Sequence, residues 1–240
     1  MRILVVNDDG IEAKGIHHLA KMATELGEVW LVAPDNQCSA MSHRITVHGA
    51  IDVKRVDYSI DGVHAYKVSG TPADCVKIGI KYLLPQKPDI VFSGINYGYN
   101  VGLDILYSGT VGAAMEALIN GIPAIAFSKE MNDNYDIADA HLFSITKMLL
   151  NRIIQKNEIW NVNFPGCNKS EFKGILENRI PAQEQFFLDD YEMTELRNGV
   201  FKLDSHGILN KDAEEETDMR AVLDNYISIG KVSNTILKRS

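Results

Sequence analysis

The chain has 240 residues, with 24 Lys or Arg and 32 Asp or Glu, so its formal net charge is −8 and its pI is about 5.4. This acidic balance argues against a general nucleic-acid binder, because a phosphate backbone requires a basic surface. A hydrophobic fraction of 45% and a charged fraction of 23% are close to the average of soluble globular proteins and disfavour disordered, collagen-like, coiled-coil and membrane classes.

Short apolar runs alternate with amphipathic segments from the N-terminus onward. Ile3–Val6 predicts a buried parallel strand that ends at the polar residues 7–10. Apolar residues then recur at helical spacing over 16–26, before a glycine that ends the helix. Val29–Ala33 predicts a second strand, and the polar, turn-rich residues 34–43 predict a loop.

The next segment has a different pattern. Residues 45–68 carry apolar side chains in short, nearly alternating groups, which predicts short antiparallel strands with Asp61-Gly62 as a hairpin turn. A helix start follows, because Thr71 is a suitable N-cap, Pro72 suits the first helical position and Asp74 suits the third.

Strand–helix–strand units continue to about residue 165. They comprise a strand at Ile90–Phe92, a glycine-rich loop at 93–108, a helix at Gly109–Asn120, a strand at Pro123–Phe127, a helix at Ile137–Ile154 and a strand at Ile159–Phe164. This alternation predicts an α/β fold with a doubly wound, mostly parallel sheet over residues 1–170. The weaker pattern of residues 171–240 predicts a β-hairpin and a C-terminal arm that serves oligomerisation.

Oxygen-bearing side chains follow the predicted strands at their carboxyl ends, where ligands bind in an open parallel sheet. Asp8 and Asp9 follow the first strand, Ser39 and Ser42 follow the second, and Asn96 follows the strand at 90–92. Two adjacent carboxylates at a buried strand end repel each other unless one is protonated or a cation is bound. Oxygen ligands suit Mg²⁺ or Mn²⁺ better than Zn²⁺. A simple turn at residues 7–10 explains the same residues without a metal.

The predicted helix at 109–120 opens with small and hydroxyl residues, namely Ser108, Gly109 and Thr110. Free backbone N–H groups at a helix start bind phosphate, and glycine lets the anion approach. An ordinary N-cap explains the pattern equally well, and Gly112 with the two following alanines indicates close packing of this helix on the sheet. The sequence contains neither a GxxxxGK[ST] motif nor a GxGxxG motif.

Basic residues are absent from the segments that carry these side chains. No Lys or Arg occurs from Asp89 to Ser128, or over residues 3–13. A phosphate bound here must therefore be neutralised by a metal and by backbone amides, with Arg44 the nearest basic candidate. This predicts a steep loss of activity without metal.

The other reactive residues give weaker indications. His43 lies in the loop after the second strand, and Cys38 lies in the same loop without a constellation that would make it a nucleophile. The three cysteines form no CxxC pair, no signal peptide is recognisable and no apolar run approaches the roughly 18 residues of a membrane span. We therefore expect a cytoplasmic protein with reduced thiols and no membrane association.

Several separated motifs occur in a recognisable order. They are Val5–Ile11, Ala33–Asp35 with Ser39, Ser69–Val76, Ser93–Asn96 and Leu106–Ala114. In this order they resemble the SurE family, stationary-phase survival proteins that are metal-dependent 5′-nucleotidases. The resemblance spans roughly residues 1–165 and continues more weakly at Thr217-Asp218 and Tyr226–Ser228.

The resemblance implies a Rossmann-like domain with a smaller C-terminal part that exchanges between subunits of a homodimer or homotetramer. It implies one divalent cation per subunit, Mg²⁺ or Mn²⁺, held by Asp8, Asp9, Ser39 and Asn96. Members of the family remove phosphate from nucleoside 5′-monophosphates and often from 3′-monophosphates, and some cut short polyphosphate. We expect Asp8 and Asp9 to be catalytic, with Asp9 favoured as the base, and both direct water attack and an aspartyl-phosphate intermediate remain open.

Three other functions remain as alternatives. A haloacid-dehalogenase-type phosphatase also has acids after its first strand, but it requires DxD spacing, and position 10 is glycine. A nucleotide sensor would bind nucleoside monophosphates without turnover. An assembly protein would use the C-terminal arm as its functional part.

Overall fold

The computed structural model describes residues 1–237. Its strands are β1 (Arg2–Val6), β2 (Glu28–Pro34), β3 (Val53–Val56), β4 (Val63–Val68), β5 (Ile90–Tyr97), β6 (Ala124–Lys129), β7 (Glu158–Phe164), β8 (Gly174–Arg179), β9 (Phe187–Arg197), β10 (Val200–Leu209) and β11 (Tyr226–Ser233). Its helices are α1 (Lys14–Thr24), α2 (Pro72–Ile78), α3 (Gly109–Ile119), α4 (Asp136–Leu150) and α5 (Asp218–Leu223), with a π-helical turn at Gly79–Leu83 and a 3₁₀ turn at Gly102–Leu106.

Nine strands form one sheet in the order β3-β4-β2-β1-β5-β6-β7-β11-β8. All neighbouring pairs from β4 to β7 are parallel, whereas β3 is antiparallel to β4, and β11 is antiparallel to β7. The predicted α/β class with a doubly wound, mostly parallel sheet is confirmed. The chain builds the sheet outward from β1 in both directions, so the strand order reverses between β1 and β5.

Strand β1 shows why its sequence is a continuous apolar run. Ile3 and Val5 belong to the core cluster that includes residues of α1 and α4 on one face of the sheet. Leu4 and Val6 belong to the cluster that includes residues of α2 and α3 on the other face. Because side chains alternate along a strand, both faces of β1 are buried under helices and both must be apolar.

Several element boundaries differ from the sequence-based prediction. Strand β5 continues through Tyr97, so the first part of the predicted glycine-rich loop is strand. The prediction of a helix to Ile154 is wrong at its end, because α4 stops at Leu150 and Ile153 is 93% exposed. The capping box at Thr71 confirms the predicted start of α2.

The segment 45–68 was expected to form short antiparallel strands. The structure contains one antiparallel pair, β3 with β4, and the residues before β3 are not strand. Strand β4 also pairs in parallel with β2 and so joins the main sheet. Six residues connect β3 and β4, which is longer than a two-residue hairpin at Asp61-Gly62, although Gly62 does adopt the left-handed conformation with φ of 79°.

The chain beyond the predicted boundary at residue 170 contributes to the main sheet as well as to an arm. Strands β8 and β11 extend the sheet next to β7. Strands β9 and β10 form a separate two-stranded antiparallel hairpin, longer than the predicted strand pieces at Phe186–Leu188 and Val200–Leu203. Every residue of β9 is exposed.

A buried carboxylate ties this hairpin to the rest of the fold. Asp218, the first residue of α5, accepts hydrogen bonds from the backbone N–H groups of Gly102 at 3.1 Å, Ala182 at 3.0 Å and Met219 at 2.8 Å. Burial outweighs these hydrogen bonds and raises the pKa of Asp218 to about 6. The carboxylate thus fixes the 3₁₀ turn relative to the segment that precedes β9.

Within residues 1–237, none of the helices is long and apolar enough to cross a membrane.

Candidate active site

The carboxyl ends of β1 and β5 meet where the strand order of the sheet reverses. In open α/β sheets, ligands bind in the crevice at this point, because the flanking loops diverge there and leave space. Asp8 and Asp9 follow β1 directly, and Asn96 lies at the end of β5, next to a break in its register with β6. The sheet topology therefore brings these three side chains to one crevice.

Asp8 is nearly fully buried between β1 and the start of α3. The Thr110 hydroxyl donates a hydrogen bond to Oδ1 of Asp8. A Cβ atom on Gly109 would lie only 2.9 Å from Oδ2 of Asp8, so only glycine allows the helix to approach so closely. Burial, followed by the negative charge of Asp9, raises the pKa of Asp8 from 3.8 to about 7.

Asp9 is less buried and is held by the opposite side of the crevice. The backbone N–H of Tyr97 donates to Oδ2 of Asp9 at 2.9 Å, and the Gln37 side chain donates a second hydrogen bond. Burial raises the pKa of Asp9 despite these hydrogen bonds. Two carboxyl groups with raised pKa values therefore stand side by side, which is typical of a functional site.

The loop after β2 brings Ser39 to the same place. The backbone N–H of Cys38 donates to the Asp8 carbonyl at 2.7 Å, which ties the residue before Ser39 to the end of β1. Ser42, the other candidate hydroxyl, donates instead to the Leu106 carbonyl at 2.7 Å. Ser42 therefore anchors the loop, and Ser39 is the hydroxyl that remains exposed at the crevice.

A local hydrogen bond fixes the orientation of the Asn96 side-chain amide. Its Nδ2 donates to the Gly98 carbonyl at 2.8 Å, and no other residue of the described chain, 1–237, donates to its Oδ1. The amide is therefore oriented with the acceptor oxygen available to a ligand.

The N-terminus of α3 faces Asp8. Ser108 is the N-cap, and its hydroxyl accepts a hydrogen bond from the Val111 N–H at 3.1 Å. The Thr110 hydroxyl and N–H are committed to Asp8, and the Val111 N–H is committed to the Ser108 hydroxyl. Among the described residues, the Gly109 N–H and the O–H of Ser108, whose oxygen only accepts here, are the donors that this helix start can offer to an anion. The role of Ser108, Gly109 and Thr110 in phosphate binding stays a prediction.

A cavity of about 400 Å³ opens at this crevice. Four of the predicted residues line it, namely Asp8, Ser39, Asn96 and Ser108. Asp9 lies behind Tyr97, which also lines the cavity, and Gly109 and Thr110 lie against Asp8. The structure thus brings all of the sequence-predicted site residues together.

The chain matches one known protein family over most of its length. The sequence profile of the family described as "Survival protein SurE" matches residues 3–185, which is more than half of the 240-residue chain. The chain belongs to the SurE family. The family match includes both carboxylates, the loop serine, the asparagine and the start of α3.

Curated relatives extend the similarity along nearly the whole chain. The 5′-nucleotidase SurE of Clostridium botulinum (strain Kyoto / Type A2) is 40% identical over 233 residues, which cover 95% of this chain and 91% of the relative. The 5′-nucleotidase SurE of Alkaliphilus metalliredigens (strain QYMF) is 41% identical over 234 residues, with coverages of 95% and 91%. The crystal structure of the SurE protein from Aquifex aeolicus has a TM-score of 0.83 and 35% identity, and covers 97% of this chain and 93% of that chain.

The donor set of this SurE-family chain fits a hard divalent cation. Residues 1–237 contain no group of three or more His, Cys, Asp or Glu side chains that could hold a metal. A metal at the crevice would therefore use two carboxylates with neutral oxygens, which suits Mg²⁺ or Mn²⁺. Because burial raises the pKa of Asp8 to about 7, the metal-free carboxyl is mostly protonated below this pH, and a bound cation would favour its charged form.

The basic residues near the crevice do not reach it. Lys129, the first lysine after the cation-free segment, is buried, and its ammonium donates to the Glu130 carbonyl at 2.6 Å and lies 4.6 Å from the centroid of the Tyr135 ring. Burial lowers the pKa of Lys129 to about 8. Neither Lys129 nor Arg44 is among the residues that line the cavity.

Two residues of the β2 loop have structural partners. His43 Nε2 lies 2.8 Å from Oε2 of the buried Glu116 on α3. A Cβ on Gly112 would lie 2.4 Å from the Ser42 carbonyl oxygen, so Gly112 allows this loop to pack closely on α3. The two following alanines, Ala113 and Ala114, are buried in the cluster between α3 and the sheet, as predicted. Cys38 is buried, and burial raises its pKa, which disfavours a nucleophilic thiolate.

Sequence reasoning missed the outer part of the cavity. Its walls include Asp104, Tyr107, Gln185, Phe187 and Asp189. Asp104 lies in the 3₁₀ turn and Tyr107 directly follows it, within the motif Leu106–Ala114. Gln185, Phe187 and Asp189 lie just before or at the start of β9, far away in sequence and outside any motif. Their position depends on the buried hydrogen bonds that hold the 3₁₀ turn next to the hairpin.

Proposed function

We propose that the chain is a metal-dependent phosphomonoesterase that hydrolyses nucleoside 5′-monophosphates, and also 3′-monophosphates, to nucleoside and phosphate. The observation that carries this proposal is the convergence of Asp8, Asp9, Ser39 and Asn96 with the start of α3 at one cavity. Its relatives named 5′-nucleotidase SurE support the same activity.

Asp8, Asp9, Ser39 and Asn96 would hold one divalent cation, Mg²⁺ or Mn²⁺. When bound, this cation would polarise a phosphoryl oxygen and offset the negative charge of the substrate. The Gly109 N–H and the Ser108 hydroxyl at the start of α3 would donate to further phosphate oxygens and would stabilise the charge that develops on them. Thr110 would keep Asp8 in position through its hydroxyl hydrogen bond.

We assign Asp9 as the base that takes a proton from the attacking water. Asp9 is less buried than Asp8, and the Tyr97 N–H and the Gln37 side chain hold its carboxylate at the crevice, which favours Asp9 over Asp8 as the proton acceptor. The water oxygen forms a bond to phosphorus, the bond from phosphorus to the nucleoside oxygen breaks, and that oxygen is protonated as the nucleoside leaves. Attack by an aspartate carboxylate is the alternative, and acid quenching of a reaction with labelled AMP distinguishes it by trapped phosphoprotein.

Purified full-length chain, freed of metal with a chelator, is expected to release almost no phosphate from AMP. Addition of Mn²⁺ or Mg²⁺ is expected to raise the rate at least about a hundredfold, because no protein cation lines the described cavity. The measurement is phosphate release from 5′- and 3′-mononucleotides at several metal concentrations. Hydrolysis that survives chelation contradicts the metal dependence, and binding of AMP without phosphate release would indicate a nucleotide sensor.

We also propose that the chain forms a homodimer or homotetramer through the β9–β10 hairpin. An isolated two-stranded hairpin is only marginally stable, and this one exposes Met193 by 64%, Phe201 by 50% and Leu203 by 55%. A second copy of the chain would cover these apolar side chains. Sedimentation velocity is expected to show a dimer or tetramer, and a monomer at micromolar concentration contradicts the proposal.

The cytoplasm is the proposed compartment, since the three cysteines are unpaired.

A further inference from the structure

The inner and outer halves of the cavity differ in their chemistry. The inner half carries Asp8, Ser39, Asn96 and Ser108, which account for a cation and a phosphate. The outer half carries two further carboxylates, Asp104 and Asp189, together with the Gln185 amide and the rings of Tyr107 and Phe187. The proposed phosphate chemistry gives these outer residues no role.

Asp104 and Asp189 face the same space from different elements. Oδ2 of Asp104, in the 3₁₀ turn, accepts a hydrogen bond from the Phe187 N–H at 3.2 Å. Asp189 lies two residues further along β9, and therefore on the same face of the strand as Phe187. No residue of the described chain donates a hydrogen bond to the Asp189 side chain, so its carboxylate is free to interact with a ligand.

The cavity wall offers another hydrogen-bond acceptor, the side chain of Asn100. Asn100 is only 5% exposed and lines the cavity. Its Nδ2 donates to the Ser128 hydroxyl at 2.7 Å, whereas its Oδ1 accepts no hydrogen bond from residues 1–237. Because this oxygen has no protein donor and Asn100 lines the cavity, it can accept a hydrogen bond from a donor group on a ligand.

The negative charges of Asp104 and Asp189 have no basic side chain of the described residues beside them in the cavity. Among residues 1–237, no Lys, Arg or His side chain lines the cavity. Carboxylate and amide oxygens that lack donors attract hydroxyl and amino groups, whereas they repel additional phosphate groups. The exposed rings of Tyr107 and Phe187 provide flat apolar surfaces for a base.

We propose that Asp104 and Asp189 form an acidic wall that selects substrates with a single phosphate attached to a neutral, hydroxyl-bearing group, and rejects chains of phosphates. This inference rests on the proposed phosphomonoesterase function, and it concerns which phosphate compounds the site accepts as substrates. Sugar hydroxyls donate to the wall, while the single phosphate stays in the inner half. Each additional phosphate group would place negative charge against the wall.

The substitution Asp189→Asn tests the wall, since it removes one charge and keeps the shape of the side chain. We expect kcat/KM for inorganic tripolyphosphate to rise about tenfold and kcat/KM for AMP to fall a few fold, mainly through KM. The matched control is Asp190→Asn, one residue along β9 and on its opposite face, which removes the same charge away from the cavity. This control is expected to leave both substrates unchanged.

A second measurement does not depend on turnover. Calorimetry on the metal-free chain is expected to show that Asp189→Asn weakens adenosine binding, whereas Asp190→Asn does not. An unchanged ratio of tripolyphosphate to AMP hydrolysis in Asp189→Asn, with AMP hydrolysis intact, overturns the acidic wall alone. Failure of the unsubstituted chain to hydrolyse AMP with any divalent metal overturns the proposed function instead.

Discussion

Asp8→Asn is expected to lower kcat/KM for AMP by at least about a thousandfold in the presence of Mn²⁺, and yet to stabilise the metal-free chain at neutral pH. The activity falls because the substitution removes the most buried of the proposed metal ligands. Its Oδ1 position still accepts the Thr110 hydrogen bond, so the local fold is retained. Phosphate release and thermal unfolding, measured on the same preparation, test both parts.

The gain in stability follows from the pKa of Asp8. The folded chain holds this carboxyl at a pKa of about 7, whereas the unfolded value is 3.8. Between these pH values the folded chain binds more protons than the unfolded chain, so the free energy of unfolding falls as pH rises through this window. Asparagine has no proton to lose, and at pH 8 the metal-free variant is expected to be more stable by on the order of 2 kcal/mol.

The control is Asp35→Asn. Asp35 directly follows β2 at the same edge of the sheet, is exposed and does not line the cavity, so neither activity nor stability should change appreciably. Asp9→Asn should also abolish activity, with a smaller gain in stability because Asp9 is less buried. Retention of more than about a tenth of the metal-dependent activity in Asp8→Asn would remove Asp8 from the proposed site.

The sequence predicted those features that depend on short-range signals. A fully apolar run followed by two acids identifies β1 and the pair Asp8 and Asp9, since burial on both faces leaves polar residues only at the strand end. Thr71 and Asp74 predicted the start of α2 because a capping box is formed within four residues. The general rule that the carboxyl ends of parallel strands lie at one edge predicted oxygen ligands after β1, β2 and β5, and the resemblance to the SurE family selected Ser39 over Ser42.

Contacts between distant segments were not predictable in this way. Thr110 donates to Asp8 across 102 positions of sequence, and nothing in the run Ser108–Thr110 distinguishes this contact from an ordinary helix cap. Strand β4 has an alternating pattern suited to a hairpin, but its pairing with β2 is decided by the sheet edge available to it. Asp189 reaches the cavity because hydrogen bonds between distant segments hold the start of β9 against the 3₁₀ turn, directly from the Phe187 N–H to Asp104 and indirectly through Asp218.

Gly109→Ala is expected to reduce kcat/KM for AMP by about a hundredfold and to weaken Mn²⁺ binding. Alanine at the first position of a helix normally stabilises a protein by about 0.5 kcal/mol, because it restricts the unfolded chain. Here its Cβ would lie 2.9 Å from both Cβ and Oδ2 of Asp8, so either the carboxylate or the helix start must move. Either movement disturbs the hydrogen bond from Thr110 and the position of the N–H group proposed to bind phosphate.

Ile119→Ala provides the control, because Ile119 is 51% exposed at the other end of α3 and does not contact the cavity. Its activity and Mn²⁺ affinity should equal those of the unsubstituted chain. If Gly109→Ala binds Mn²⁺ normally but loses activity, the helix start acts on phosphate and not on the metal ligands. If it keeps both properties within about twofold, the close approach of α3 to Asp8 has no functional role, and the proposed phosphate site must lie elsewhere in the cavity.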